Sequence, residues 1–245
     1  MKSNVYKYAV LLVSLASYSA IAENKWGVGV GGMVEDQGYV DVGSKTTVIP
    51  LVFFESENLR IYGPTFNYNI ATFEEIDFSF IGQYRFDGYE ADDGDIFEGM
   101  DDSTGAFELG ISANYKTGFG KFTLSALTDV ASTHDGYEIN LSYSKSYNFE
   151  SSSITPYISI IQKSEDLVDY YYGVQAHEVT DYRSFHLGKS ATNIELGIRS
   201  SWRVGKHHNF IANASYTAYG SNIKNSSLID SSVNTKLILG YMYVF

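Results

Sequence analysis

Three features of the sequence predict an all-β protein, an antiparallel transmembrane β-barrel of ten to twelve strands preceded by a cleaved signal peptide. Long segments alternate apolar and polar side chains with period two. The connections between them are short and long in turn. The chain ends in LILGYMYVF, with aromatic residues at every second position. A soluble sandwich also alternates, but its strands typically run to about 5–6 residues. A tilted membrane strand needs about 9–11, the length of the segments here.

Residues 1–22 are expected to be removed on export. Lys2 and Lys7 give a basic start, residues 9–18 a short apolar run, and Ala20-Ile21-Ala22 before Glu23 a small-residue cleavage site. The apolar run is too short for a membrane anchor, which takes about 20 residues. Residues 23–245 are read as one barrel domain, a length that barrels reach undivided.

Strands are predicted near 26–34, 47–55, 59–70, 74–86, 105–116, 120–130, 136–147, 152–162, 192–203, 208–219 and 233–245. In the fourth, Ile76, Phe78, Phe80, Tyr84 and Phe86 share one face, while Asp77, Ser79, Gln83 and Arg85 share the other. The fifth sets Phe107, Leu109 and Ile111 against Glu108, Ser112 and Lys116. The ninth sets Ile194, Leu196, Ile198 and Trp202 against Glu195, Arg199 and Arg203. Eleven is an odd count, whereas bacterial barrels of this kind use an even one. Either 26–34 is not a wall strand or a short strand lies near 38–42. Pro64 removes a ladder donor and predicts a bulge or an end inside the third strand.

Connections at 117–120, 149–152 and 205–207 are tight, and those at 87–104, 163–190 and 220–232 are long and polar. That asymmetry separates periplasmic turns from outer loops. Gly240, Tyr241, Tyr243 and Phe245 resemble the terminal strand signal read by the barrel assembly machinery, although Ile238 stands where a polar residue is usual. Such a barrel sits among outer-membrane lipid and lipopolysaccharide.

Composition agrees. Tyrosine (21) and phenylalanine (15) are abundant and proline is scarce (3), as long strands and a membrane interface require. The formal net charge is −12, and −14 without Lys2 and Lys7, which excludes nucleic acid as a partner. The absence of cysteine removes thiol catalysis and cysteine-ligated metals.

The candidate chemistry is sparse. His134, His177, His186, His207 and His208 all fall in predicted loops or turns and read as solvated. No nucleophile elbow, zinc helix or phosphate loop occurs, so no catalytic residue, cofactor or metal is expected. The acidic stretch 91–102 carries Asp92, Asp93, Asp95, Glu98, Asp101 and Asp102 without the spacing of a calcium loop, and reads as a solvated outer loop. The inward charges Asp77, Arg85, Glu108, Lys116, Glu195, Arg199 and Arg203 either pair with one another or line a narrow pore.

Asp169-Tyr170-Tyr171-Tyr172-Gly173-Val174, with Glu178 beyond it, follows Thr155-Pro156 of the preceding strand. Ser227-Leu228-Ile229-Asp230 stands before the last strand, and the chain closes on its aromatic ending. With these elements the mature chain resembles the MipA/OmpV family of Gram-negative outer-membrane proteins. It has Ser226-Ser227 where that family tends to have Ser-Pro. The resemblance implies a non-enzymatic scaffold linking a lytic transglycosylase to a penicillin-binding protein, so coupling murein cleavage to synthesis. It implies, as alternatives, a narrow channel for small solutes or antibiotics, or an adhesin using the outer loops. The tyrosine run is expected to be extended where a strand leaves the outer leaflet. Tyr170 and Tyr172 would then share a face, and Gly173 would turn the chain.

Overall fold

The computed structural model describes residues 24–245, and the expected cleavage residues Ala20, Ala22 and Glu23 lie outside them. The strands are β1 (Lys25–Asp36), β2 (Lys45–Glu55), β3 (Leu59–Tyr62), β4 (Thr65–Phe73), β5 (Ile76–Arg85), β6 (Ala106–Thr117) and β7 (Gly120–Asp129). They continue with β8 (Tyr137–Ser144), β9 (Tyr147–Asn148), β10 (Ser152–Lys163), β11 (Ala191–Val204), β12 (His208–Ala218) and β13 (Val233–Val244). β9 carries on along β10 in the register of β8, since Tyr157 faces Ser144 and Ile154 faces Tyr147. Thirteen segments therefore make twelve wall strands. Each is antiparallel to its neighbours, and β1 pairs with β13 from Gly27–Val244 to Asp36–Thr235, so the sheet closes on itself.

The parity problem resolves inside 59–70. That segment is not one strand: Gly63 (φ 56°) and Pro64 form a tight hairpin between β3 and β4. Glycine takes the left-handed angle without a Cβ penalty, and proline cannot continue the ladder of β3. Both sequence alternatives for the odd count are thereby corrected. Residues 26–34 lie within β1, a full wall strand. Residues 38–42 form a loop whose only ladder contact is the isolated bridge Tyr39–Ile229.

The wall faces outward with an apolar belt. Phe80, Ile111, Ile160 and Leu196 are all about half exposed in a closed barrel, which is tenable only against lipid. Aromatic rings crowd the end that carries the short turns, where β1 begins and β13 ends: Trp26 stacks on Phe245 at 3.9 Å, and Phe122 and Tyr143 lie 5.1 Å apart. This is the periplasmic girdle. At the β1–β13 seam the backbones approach so closely that a Cβ at Gly29 would collide with the carbonyl of Tyr241.

Candidate functional site

At the outer end the long connections do not stand as separate loops. They fold together into a cap. The segment after β10 begins with α1 (Glu165–Tyr172), where Ser164 caps the helix by accepting from the Leu167 amide, and Glu165 and Asp166 occupy the first turn. Acidic residues there complement the positive end of the helix. The tyrosine run is therefore helical rather than extended, which corrects the expectation drawn from its sequence. Tyr171 is 0% exposed and Tyr172 is 2%, both inside the cap rather than at the membrane interface.

The cap has its own core. Tyr39 comes from the first outer loop, and Tyr89, Phe97 and Met100 from the second. Leu167, Val168 and Val174 surround the tyrosines, and Ile223 of α2 (Ser221–Lys224) comes with Leu228 and Ile229 from the last loop. Tyr89 and Phe97 stack at 3.9 Å, with Tyr39 edge-on to both. Three of the buried hydroxyls find carbonyls: Tyr39 donates to Tyr171 (3.0 Å), Tyr171 to Thr104 (3.1 Å) and Tyr219 to Gln37 (2.9 Å). Burial raises the phenols of Tyr39, Tyr171, Tyr172 and Tyr219, so all four stay neutral.

The remaining motif residues tie chain to chain. The Asp169 carboxylate accepts from the Gly188 amide (2.7 Å) and from Gln175 (2.9 Å). Gly173 donates its amide to the Asp169 carbonyl (2.8 Å), and Val174 bridges His186. Glu178 accepts from the Gln175 and Asp101 amides. Arg183, which the sequence reading passed over, is 1% exposed and donates to the carbonyls of Glu178, Ile96 and Glu98. It clamps the acidic stretch to the motif loop. That stretch is not freely solvated, because Ile96 and Phe97 anchor it in the cap.

Beneath the cap lies a charge network. Arg85 reaches Glu108 (2.8 Å), Asp87 (3.0 Å) and Glu138 (2.9 Å), and Lys163 adds a bond to Asp87 (3.3 Å). Burial alone would raise the Asp87 carboxyl. Lys163 and Arg85 outweigh it and hold the group below the usual carboxylate range. His134 is buried at 4% exposure, correcting the solvated reading: its Nε2 meets Glu108 at 3.2 Å and its Nδ1 accepts from Gly136. Asp101, His177 and Glu178 converge at the surface, but both Glu178 oxygens already accept backbone amides.

The other inward charges are distributed down the barrel. Asp77 pairs with Lys116 (2.7 Å), and Glu195 accepts from Thr217 (3.1 Å). Arg199 lies over the Tyr157 ring at 4.3 Å, and Arg203 is exposed at the periplasmic end of β11. Gly240, Tyr241, Tyr243 and Phe245 lie at the periplasmic end of β13, Phe245 donating its amide to the Trp26 carbonyl (2.8 Å).

Known proteins resemble this chain along its length. A family model described as MltA-interacting protein MipA matches residues 28–245. The MltA-interacting protein of Escherichia coli K12 is 22% identical over 240 residues, covering 96% of each chain. The putative outer membrane protein YiaT of the same strain is 21% identical over 241 residues, covering 96% of this chain and 97% of its own. Outer membrane protein Omp26La of Vibrio anguillarum is 24% identical over 143 residues, 58% of this chain and 56% of that protein, so the match spans about half of that relative. Among solved structures, an outer membrane channel of Pseudomonas putida F1 aligns over 93% of this chain and 97% of its own, at 9% identity and a TM-score of 0.44. The protein is an outer-membrane β-barrel. The family match runs from β1 through β13, and this chain belongs to the MltA-interacting protein MipA family.

Proposed function

We propose that the protein is a non-enzymatic scaffold, whose working face is the periplasmic end of the barrel and whose partners are murein-processing enzymes, a lytic transglycosylase first among them. One observation carries this reading: the outer loops share a single packed core over the outer end of the barrel. With the outer loops packed on one another, the periplasmic end is the face left for a partner. There the exposed turns offer Glu57, Glu74, Glu75 and Lys206 to a partner. The name of a relative aligned along 96% of the chain supports the same partner class.

The test is crosslinked capture from intact envelopes. A lytic transglycosylase is expected to co-purify with the wild-type barrel, and less of it with Glu57→Lys/Glu74→Lys/Glu75→Lys. Deletion of 179–182 in the outer loop is expected to leave recovery unchanged. Recovery that ignores the turns but follows the outer loop would overturn the proposal. In planar bilayers the capped barrel is expected to be silent, and steady single-channel conductance would favour a pore.

A further inference from the structure

β2 is an edge strand over most of its length. It pairs with β1 from Lys45 to Glu55, but with β3 only at Phe53–Glu55. The hairpin turns back partway up the wall, where the Gly63 amide donates to the Val52 carbonyl (2.9 Å). Above that turn come the end of β5, Tyr84–Arg85, and the second outer loop that follows it, and among the described residues no backbone hydrogen bond joins either to Lys45–Leu51. At about 3.3 Å per residue, roughly 20 Å of strand edge is left open. Val52 uses its backbone on this side, so Pro50, two residues away, presents its missing N–H to the same opening.

An unpaired strand edge is not tolerated against hydrocarbon; it is found only where it borders protein or a cavity. A cavity of about 580 Å³ does lie here, and all three sides of the opening line it: Ile49 and Leu51 of β2, Pro64 of the hairpin, and Tyr84 and Phe86 at the end of β5. Phe86 packs onto the buried cluster of Met33, Ile49, Leu51 and Met242. The opening is therefore closed by side chains alone, which rotate far more readily than a ladder unzips.

The cavity is two-faced. Ile211 and Ile238 extend the apolar wall where an aqueous lumen would carry polar groups. Beside Ile211, on the neighbouring strand β11, stands Arg199, which has no ion pair among the described residues and lies over Tyr157. Arg199 and Thr155 also line a lower cavity beside Lys121, a second cation with no ion pair among the described residues. Inside a chain of formal charge −12, this is a local positive site adjoining an apolar wall.

We propose that the barrel takes up a single-chain amphiphile with an anionic head, a carboxylate of the fatty-acid type, from the outer leaflet through the side opening between β2 and β5. Its chain lies along the Met33–Ile49–Leu51–Ile211–Ile238 wall. Its carboxylate meets the Arg199 guanidinium, which can hold both oxygens at once. This use of the lumen is separate from the periplasmic docking role, and either can fail alone.

The test uses the full barrel in liposomes and a diazirine-bearing hexadecanoic acid, with adducts mapped by mass spectrometry after irradiation. Adducts are expected on the inward residues Met33, Leu51 and Ile211, and excess decanoate is expected to suppress them. Arg199→Gln is expected to raise the half-saturating concentration about tenfold, the loss of one charge-assisted contact, with Arg199→Lys recovering part of it. Phe86→Ala is expected to speed labelling. Heat-modifiable gel migration confirms that each variant is folded. Adducts confined to outward residues such as Val48 and Val52, insensitive to decanoate, would overturn the side entry. Equal labelling by the matching diazirine alcohol would overturn the anionic head.

Discussion

The hydroxyl of Tyr39 donates a 3.0 Å hydrogen bond to the carbonyl of Tyr171, joining the first outer loop to the helix that follows β10 across 132 positions of sequence. The Tyr171 ring makes the next tie, its hydroxyl donating to the Thr104 carbonyl of the second outer loop (3.1 Å). Tyr171→Ala removes a fully buried ring and is expected to cost about 3–5 kcal/mol of cap stability. The barrel itself, held by its ladders, is expected to remain folded. External protease on intact cells should then cut within 176–190 in the variant and spare the wild type. Equal protection would mean that the ring does not pin the cap.

How much of this was legible beforehand differs between wall and cap. The wall strands follow a local rule, alternation, that each segment carries by itself. Their one misreading, 59–70, came from a period that runs unbroken through Gly63-Pro64, although the dipeptide is itself a turn signal. The helix of the tyrosine run had signals too. Ser164-Glu165-Asp166 is an N-terminal signature, but three consecutive β-formers masked it. Arg183 and His134 were not readable at all. What buries them is the meeting of loops distant in sequence, and nothing in their immediate neighbours encodes that.

The luminal network predicts an asymmetry between its members. Arg85 serves three carboxylates, so Arg85→Met leaves Glu108, Asp87 and Glu138 with Lys163 as the nearby cation. Breaking a buried network this way costs about 3–5 kcal/mol. Glu108→Gln removes one acid from an acid-rich cluster and should cost less. The temperature at which each variant changes gel migration measures the order, and a Glu108 variant weaker than the Arg85 variant would contradict it.

The same network sets a pH dependence. The folded Asp87 carboxyl is held below its unfolded value, so its contribution is present above the unfolded value of about 3.9 and is lost as pH falls through the folded one. Acidification from pH 7 to pH 5 should therefore leave this contribution intact, and weakening should begin only below the ordinary carboxylate range. Asp87→Asn should lower the migration temperature at pH 7 and narrow its gap to wild type in strong acid. A gap that is constant across pH would show that the charge is not the cause.

The hairpin at Gly63 can be separated from other turns by what a methyl group would meet. Gly63 and Gly205 both have positive φ, 56° and 64°. A Cβ at Gly63 would also lie 3.0 Å from the Leu51 side chain, whereas at Gly205 nothing lies within 4 Å. Alanine at either position should cost about 1–2 kcal/mol in backbone strain. Gly63→Ala should additionally shift Leu51, a wall residue of the proposed cavity, and so alter amphiphile labelling, while Gly205→Ala should not.

Phe245 has two separable tasks. In the folded barrel it stacks on Trp26 and donates its amide to the Trp26 carbonyl, closing the periplasmic end of the β1–β13 seam. During assembly it is also proposed to be the terminal residue read by the barrel assembly machinery. Trp26→Ala removes the stack and keeps the terminal residue; Phe245→Ala removes both. Stacked aromatic pairs contribute about 0.5–1.5 kcal/mol beyond their buried area, so both variants should lower the migration temperature of purified barrel by similar amounts. Only Phe245→Ala should also slow insertion in cells, measured by pulse-chase into the outer membrane. If Trp26→Ala slows insertion equally, the terminal phenylalanine works through seam closure, and a separate recognition step is not needed to explain its position.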